Sequence, residues 1–379
     1  MARDLPSDAA GWRSRARAFA AERVAPIAAE IDRLDRVPDP LMAPLAEAGF
    51  LGLGVPRAWD GSAGDTRSTS AVLEELSRAS AAVGVLVSVH LAVCAHPILE
   101  WGTDAQRESF LRPLARGARI GAFGLTEPGA GSDTAALTTR YVSDTEGFRL
   151  RGTKMFTSNG VTAGTILVFA TRDPALGHRG ISAFVVPPGT SGFSVAQRLD
   201  KLGLHGSETC ELVLDDLRLP PESLLGPEGS GLKIALGALT AGRVGIASCA
   251  LGVAESAFAE LRASARRAPE DWKRTAVARA YAELSAARAL VERAAERKDA
   301  GAPYVREASA AKLAASRAAV AIASRGIDVA GPEGVRAGAT AERLFRDARV
   351  FPIVEGTTEI QELILGRQLL DADESPNPN

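Results

Sequence analysis

The apolar pattern of this chain changes period twice, and few architectures satisfy both changes. Up to residue 117 the apolar residues recur at helical spacing, as Trp12, Phe19, Val24, Ile27 and Ile31 do in "WRSRARAFAAERVAPIAAEIDRL". "STSAVLEELSRAS" and "DAQRESFLRPLARG" continue that pattern, the second stopping at Gly117. From 118 to 224 the pattern becomes short β-rich runs bounded by Gly, Pro and Asp: "GFRLRGTKMFT", "GTILVFATR", "RGISAFVVPPG", "GFSVAQRLD" and "CELVLDDLRLP". No helical stretch separates these runs. An antiparallel sheet is therefore expected, and a parallel nucleotide-binding sheet with helical crossovers is disfavoured. From 225 the helical period returns in "GLKIALGALTAGRVGIASCALGVAESAFAELRASA", and two further long helices and a final one, "TTEIQELILGRQLL", follow. The reading is an α+β chain, mainly α. It has an N-terminal helical domain (1–117), a middle antiparallel β domain (118–224) and a C-terminal helical bundle (225–379), whose tail "DADESPNPN" is expected to be disordered.

The 379 residues are enough for about two or three domains. Hydrophobic residues make up 46%, charged residues 24%, and the net charge is −2, a balance that argues against a nucleic-acid partner or a polybasic membrane role. Aromatics at 5% leave little for base-stacking platforms. Cys94, Cys210 and Cys249 follow no paired or metal-binding spacing, so no metal is expected and a reducing cytoplasm fits. The start, "MARDLPSDAAGW", has no apolar run of the signal-peptide kind. "AAVGVLVSVHLAVCAHPIL" (81–99) approaches membrane-spanning length, but Gly84, Ser88, His90 and His96 point to a buried core helix. The two histidines are then core or pocket-wall residues.

Several segments carry candidate chemistry. "FGLTEPGAGSD" (123–133) leaves backbone amides free for an anion and adds the hydroxyls of Thr126 and Ser132, though a Pro-Gly turn between domains has the same composition. It matches neither GxGxxG nor a P-loop. "KMFTSNG" (154–160) offers the flat face of Phe156, the hydroxyl of Ser158 and an Asn-Gly turn, features of a plain hairpin or of a wall for a planar heterocycle. In "DKLGLHGSETCELVLDDLRLP", His205 has the polar, Gly-flanked setting of an exposed turn. "TAGRVGIAS" sets Arg243 in an apolar helix, where it needs an anionic partner or must snorkel to the surface. "FPIVEGTTEIQ" (351–361) puts Glu355 behind Pro352, Ile353 and Val354 and before Gly356. It caps the helix that follows, or it is a base in a dry pocket. Glutamate is a poor N-cap, which favours the base.

In order and spacing, "FGLTEPGAGSD", "KMFTSNG", "DKLGLHGSETCELVLDDLRLP", "GRVGIASCALG" and "AERLFRDARVFPIVEGTTEIQ" resemble the acyl-CoA dehydrogenase family, with most likeness to its short-chain (butyryl-CoA) branch. The resemblance covers about residues 10–370. It implies FAD-dependent α,β-dehydrogenation of a short acyl-CoA to the 2-enoyl-CoA. Glu355 would be the catalytic base for the alpha proton, with hydride passing to flavin N5. For FAD it implies contacts from Phe123, Leu125, Thr126, Gly131, Ser132, Phe156, Thr157, Ser158, Asp328, Gly331, Thr357 and Glu359. For the acyl-CoA it implies Ser132, Thr240, Arg243 and Gly356. A branch of the family takes its base from the long helix, where this chain has Gly242, so Glu355 stands without a rival. The likeness also implies an electron-transfer flavoprotein as acceptor and a homodimer or homotetramer built on the C-terminal helices.

The chain departs from the family pattern at the adenosine end of the cofactor. The usual Arg-x-x-Phe-Gly is missing from the shortened "ARRAPEDWKRTAV", and the usual Gln-x-x-Gly-Gly-x-Gly reads "DVAGPEG", with Asp328 and Pro332 substituted. Phe156 and Ser158 replace the usual Trp and Thr, Val354 a common Tyr, and Thr240 a usual Asp. The departures keep two other readings in view: a dehydrogenase of acyl-carrier-protein thioesters in a biosynthetic pathway, and a FAD-deficient homologue acting as a binding protein.

Overall fold

The computed structural model describes residues 5–187 and 189–370, so the tail expected to be disordered lies outside the described residues. The N-terminal region is helical: α1 (Ala9–Phe19), α2 (Thr66–Ala79) and α3 (Ala81–Trp101) are its main elements. Trp12, Val24 and Ile31 are buried there, as the helical spacing requires. The apolar α3 is a core helix, with π-helical geometry over Val89–Ala95. His90 is fully buried; its Nε2 bonds the Leu51 carbonyl and its Nδ1 accepts from the Gly121 amide, so it ties α3 to the sheet.

Strands β1 (Gly121–Gly124), β2 (Arg140–Asp144), β3 (Gly147–Ser158), β4 (Thr165–Thr171), β5 (Ile181–Val186), β6 (Phe193–Arg198), β7 (Thr209–Leu219) and β8 (Leu224–Leu225) form one sheet. The order is β6-β7-β3-β2-β4-β5-β8, with β1 also on β4. Most pairings are antiparallel, but β1 runs parallel to β4 from Gly121↔Thr165 to Gly124↔Val168, and β2 meets β4 in parallel at Arg140↔Thr171. The sheet is therefore mixed. No helical crossover is needed, because the β2–β3 hairpin lies between β1 and β4 in the chain and carries it back. Side chains of β4 and β5 alternate between two cores. Leu167, Phe169, Ile181, Ala183 and Val185 pack with Ile98, Phe110 and Leu111 of the helical layer, while Ile166, Val168, Ala170, Phe184 and Val186 pack with Tyr141, Leu212 and Leu217.

The C-terminal bundle is α4 (Gly231–Arg267), α5 (Asp271–Asp299) and α6 (Val305–Ala330), followed by α7 (Thr340–Ala348) and α8 (Thr358–Leu370). Helix α4 passes through the centre of the molecule, and its small residues let neighbours approach closely. A Cβ at Gly245 would lie 2.4 Å from Ser88 Oγ on α3, and one at Gly252 only 2.2 Å from the Glu74 carbonyl oxygen on α2. The end of α5 caps α2 across the chain: Asp299 accepts from the Thr66 and Arg67 amides at 2.7 and 3.1 Å.

His205 departs from the expectation of an exposed turn. It is partly buried, bonded through Nε2 to the Lys201 carbonyl (2.7 Å) and placed 3.3 Å from Asp32, because the turn docks on α7. Asp347 there accepts from the Leu204 amide at 2.7 Å, and Arg346 forks onto Asp32.

The packing of α4 makes a prediction against helix propensity. Alanine is better than glycine in a helix interior by about 1 kcal/mol. At Gly252 the added methyl meets backbone that cannot yield, so Gly252→Ala is expected to destabilise by about 1–3 kcal/mol in urea denaturation. A stabilised variant would contradict the packing constraint.

Candidate active site

The loop after β1 is folded back on β3 by a buried charge pair. Glu127 accepts from the Thr138 amide (2.6 Å), Thr138 Oγ1 (2.7 Å), the Thr139 amide (3.0 Å) and Lys154 Nζ (2.7 Å). Burial works against its charge, but the Lys154 ammonium and these hydrogen bonds outweigh that and hold the carboxyl well below the usual range. The Met155 amide donates to the Thr126 carbonyl at 2.8 Å, which brings Thr126 beside the strand that carries Phe156. Leu125 is buried, and Phe123 packs edge-on against Phe169 at 5.0 Å. Gly131 and Ser132 lie exposed on the outer loop, and a Cβ at Gly131 would meet nothing within 4 Å. That loop leaves room for a ligand to reach its backbone amides.

Phe156 is the strained residue of this cluster. It has φ of +56° and is 64% exposed, at a register shift in the β3–β7 ladder between Lys154 and Thr157. An exposed aromatic ring in left-handed backbone is costly in both respects, a pattern that marks binding sites. Thr157 is buried with its Oγ1 lacking a hydrogen-bond partner, and Ser158 is partly buried. Asn159 secures the end of the strand, donating through Nδ2 to the carbonyls of Leu86 on α3 and Gly121 on β1, both at 3.1 Å.

Glu355 sits in a second cluster, against α4. Its backbone is left-handed (φ +56°) and Gly356 follows at φ +91°. The carboxylate lies over Gly242, where a Cβ would fall 2.0 Å from Glu355 Oε2, so a side chain there would displace it. Oε2 is shut off from solvent without a hydrogen-bond partner, although the residue as a whole is only partly buried. Burial pushes this carboxyl up to about 7, with Arg243 and Lys312 opposing. Arg243 is itself buried, with Nε unpartnered, and burial lowers its pKa against the pull of Glu355. The helix-cap alternative for Glu355 fails, because Thr357 Oγ1 accepts from the Ile360 amide at 3.3 Å and takes the capping role.

The other sequence candidates divide. Thr240 is buried and donates its hydroxyl to the Leu236 carbonyl of its own helix. Glu359 is exposed on the first turn of α8. Asp328 and Gly331 stand at the far end of α6, roughly 24 Å of helix from Lys312, the residue of α6 beside Glu355. They do not join either cluster within this chain. Sequence reasoning missed Glu127, Lys154, Lys312 and Gln361. Lys312 left a signal, since it falls on the buried stripe of Ala308, Ala311, Ala315 and Ala319.

Family models for the acyl-CoA dehydrogenase N-terminal, middle and C-terminal domains match residues 7–118, 122–217 and 229–370. The chain belongs to the acyl-CoA dehydrogenase family. It is 39% identical over 365 residues to the short-chain specific acyl-CoA dehydrogenase of Clostridium acetobutylicum, covering 94% of this chain and 96% of that one. Butyryl-CoA dehydrogenase from Megasphaera elsdenii superposes with a TM-score of 0.94 at 35% identity, over 98% of this chain and 100% of the other. A structure described for the electron transferring flavoprotein of Acidaminococcus fermentans gives the same TM-score at 36% identity, again over 98% and 100%. The fold and the oxidoreductase class of this acyl-CoA dehydrogenase follow from that membership.

The electrostatics of Glu355 give a stability prediction for the family member described here. Between about pH 4.5 and 7 the unfolded carboxyl has released its proton while the folded one keeps it, so the wild type loses stability as pH rises. Glu355→Gln has no such proton. Melting of the two should coincide below pH 4.5 and separate in favour of Gln up to pH 7, by at most about 1.4 kcal/mol per pH unit. Parallel profiles would mean that the carboxyl is not held neutral.

Proposed function

We propose that this chain is a FAD-dependent dehydrogenase of short acyl-CoA thioesters that forms the 2-enoyl-CoA, with Glu355 as the base. The observation that carries the reading is a carboxylate oxygen buried without a partner, its acidity moved to near neutrality, against a helix position that has no side chain. A thioester's alpha proton is weakly acidic, and a base of that strength held out of water suits its removal. The left-handed backbone at Glu355 and Gly356 fixes the carboxylate's direction. Arg243 faces it as a buried cation and limits how far its pKa climbs. Backbone amides near the base, Gly356 among them, polarise the thioester carbonyl without adding a titratable group. Ser132, Thr240 and Arg243 itself complete the assigned acyl-CoA contacts.

Bound FAD would supply the acceptor for the beta hydride. The ring-end residues fit such a group: an exposed aromatic face at Phe156, hydroxyls at Thr126, Thr157 and Ser158, and an open loop at Gly131–Ser132, with Phe123 and Leu125 as apolar backing. The adenosine end fits less well. The turn between α4 and α5 is only residues 268–270, and its polar groups serve one another. Trp272 Nε1 donates to Glu270, Lys273 Nζ donates to the Ala268 carbonyl, and Arg267 donates to Ser264. Asp328 and Gly331 would meet FAD across a subunit boundary, with Asp328 unfavourable beside pyrophosphate, and Thr357 and Glu359 complete the assigned cofactor contacts. A homodimer or homotetramer, an electron-transfer flavoprotein as acceptor and a cytoplasmic setting complete the proposal. The three cysteines are free and buried, as a reducing compartment allows.

Glu355→Gln should keep FAD and lose about 10²–10⁴-fold in the rate of flavin bleaching by butyryl-CoA under anaerobic conditions. Retained turnover would remove Glu355 from the mechanism. A missing charge-assisted contact is worth about 1.5–3 kcal/mol, so FAD should be lost on dialysis against high salt, and faster on dilution. Flavin absorbance after dialysis measures this, and full retention would argue that the adenosine end is held by other groups.

A further inference from the structure

Lys312 is fully buried on α6, on a face of small residues that includes Ala308, Ser309, Ala315 and Ser316. An ammonium with three donors in such a place is costly. Among the described residues its hydrogen-bond acceptor is the Gly356 carbonyl, at 2.7 Å, which Gln361 Nε2 also contacts at 2.9 Å. Gly356 directly follows Glu355, and both residues hold positive φ, a turn that reverses the chain just before α8. For Glu355, a residue with a Cβ, that conformation is strained, and the surroundings must hold it in place. The carboxylate so aimed rests on Gly242.

We propose that Lys312 is the positioning residue for Glu355: it clamps the Gly356 carbonyl, so fixing the strained turn that aims the carboxylate at Gly242, and it sets a buried positive charge beside that carboxylate. The inference rests on Glu355 being the base. Two separable effects follow, one from the hydrogen bond and one from the charge. The groups interacting with Glu355 are Arg243 and Cys249 from α4 and Lys312 from α6, while Tyr304, just before α6, acts on Arg243 and Glu359 of α8 acts on Lys312. Of these, Arg243 and Lys312 are the cations that favour the ionised carboxyl. Burial draws Lys312 itself down to about 8, with Glu355 opposing, so its charge is present below that pH.

The test is the pH profile of flavin reduction by butyryl-CoA between pH 5.5 and 9.5, in FAD-loaded wild type, Lys312→Arg, Lys312→Gln and Lys312→Met. Lys312→Gln keeps a donor and loses the charge, so its plateau rate should hold while the acid limb moves up by about one pH unit. Lys312→Met loses both, and its plateau should also fall, by about tenfold, with KM little changed. Lys312→Arg should restore the acid limb to its wild-type position. Acid limbs of Gln and Met that coincide with wild type would overturn the role of the charge, and an undiminished Met plateau would overturn the clamp. If Met does not fold, Gln against Arg decides the charge, and Lys312→Ala, which also lacks a donor, takes the place of Met in the test of the clamp. Glu355→Gln run alongside separates the failures: if it keeps its rate, the base assignment is at fault rather than Lys312.

Discussion

Close approach to α4 is the constraint on which the rest of this structure depends. At Gly242, Gly245 and Gly252 a single added carbon would collide with Glu355, Ser88 and the Glu74 backbone. Those contacts come from the turn before α8, from α3 and from α2. One face of one helix therefore sets where the N-terminal domain, the core helix and Glu355 lie relative to one another. The same helix reaches the sheet indirectly, since α3 carries both Ser88 against Gly245 and the Leu86 carbonyl that holds Asn159 at the end of β3. Glu355 and Phe156 are thus fastened to a common bracket although nearly two hundred residues separate them. Close-packed interiors transmit such constraints because they have no free volume in which to relax.

Two glutamates in this frame end in opposite chemical states. Glu127 accepts four hydrogen bonds, one of them from an ammonium, and stays charged in spite of its burial. Glu355 has an oxygen with no donor at all, and the nearby cations only partly offset the loss of water. The first is a fastener for the loop that carries Thr126 and Ser132. The second keeps a lone pair that no donor occupies. What separates them is the number of donors each meets, a quantity set by folding and invisible in residue type.

Much of the fold was legible in the residues. Period changes near 117 and 225 follow directly from backbone geometry, because helices and strands present their faces at different spacings. The β2 strand, "RYVSD", was not legible, as its alternation is short and mostly exposed, and neither was the parallel pairing of β1 on β4. Pairing partners are chosen by three-dimensional packing, and nothing local in "GAFG" specifies them. His205 illustrates the same limit: its segment reads as a Gly-flanked turn, yet Arg346 of α7, well over a hundred residues on, and Asp32 from the N-terminal region shelter it.

For the site, the sequence by itself determined which side chains were available. It supplied a glutamate in an apolar run, an aromatic and hydroxyls at a strand end, a glycine-rich loop, and a glycine at residue 242 where a second carboxylate would compete. It also determined the shortened segment after α4, since a missing stretch of chain needs no structure to be seen. Only the tertiary structure decided that Glu355 is dry and unpartnered, that Thr357 and not Glu355 caps α8, and that Lys312 reaches the next residue's carbonyl. The physical reason is that desolvation and hydrogen-bond count depend on what other segments bring to within a few ångströms. Those segments are distant along the chain, so a local pattern can name a candidate base but cannot set its pKa.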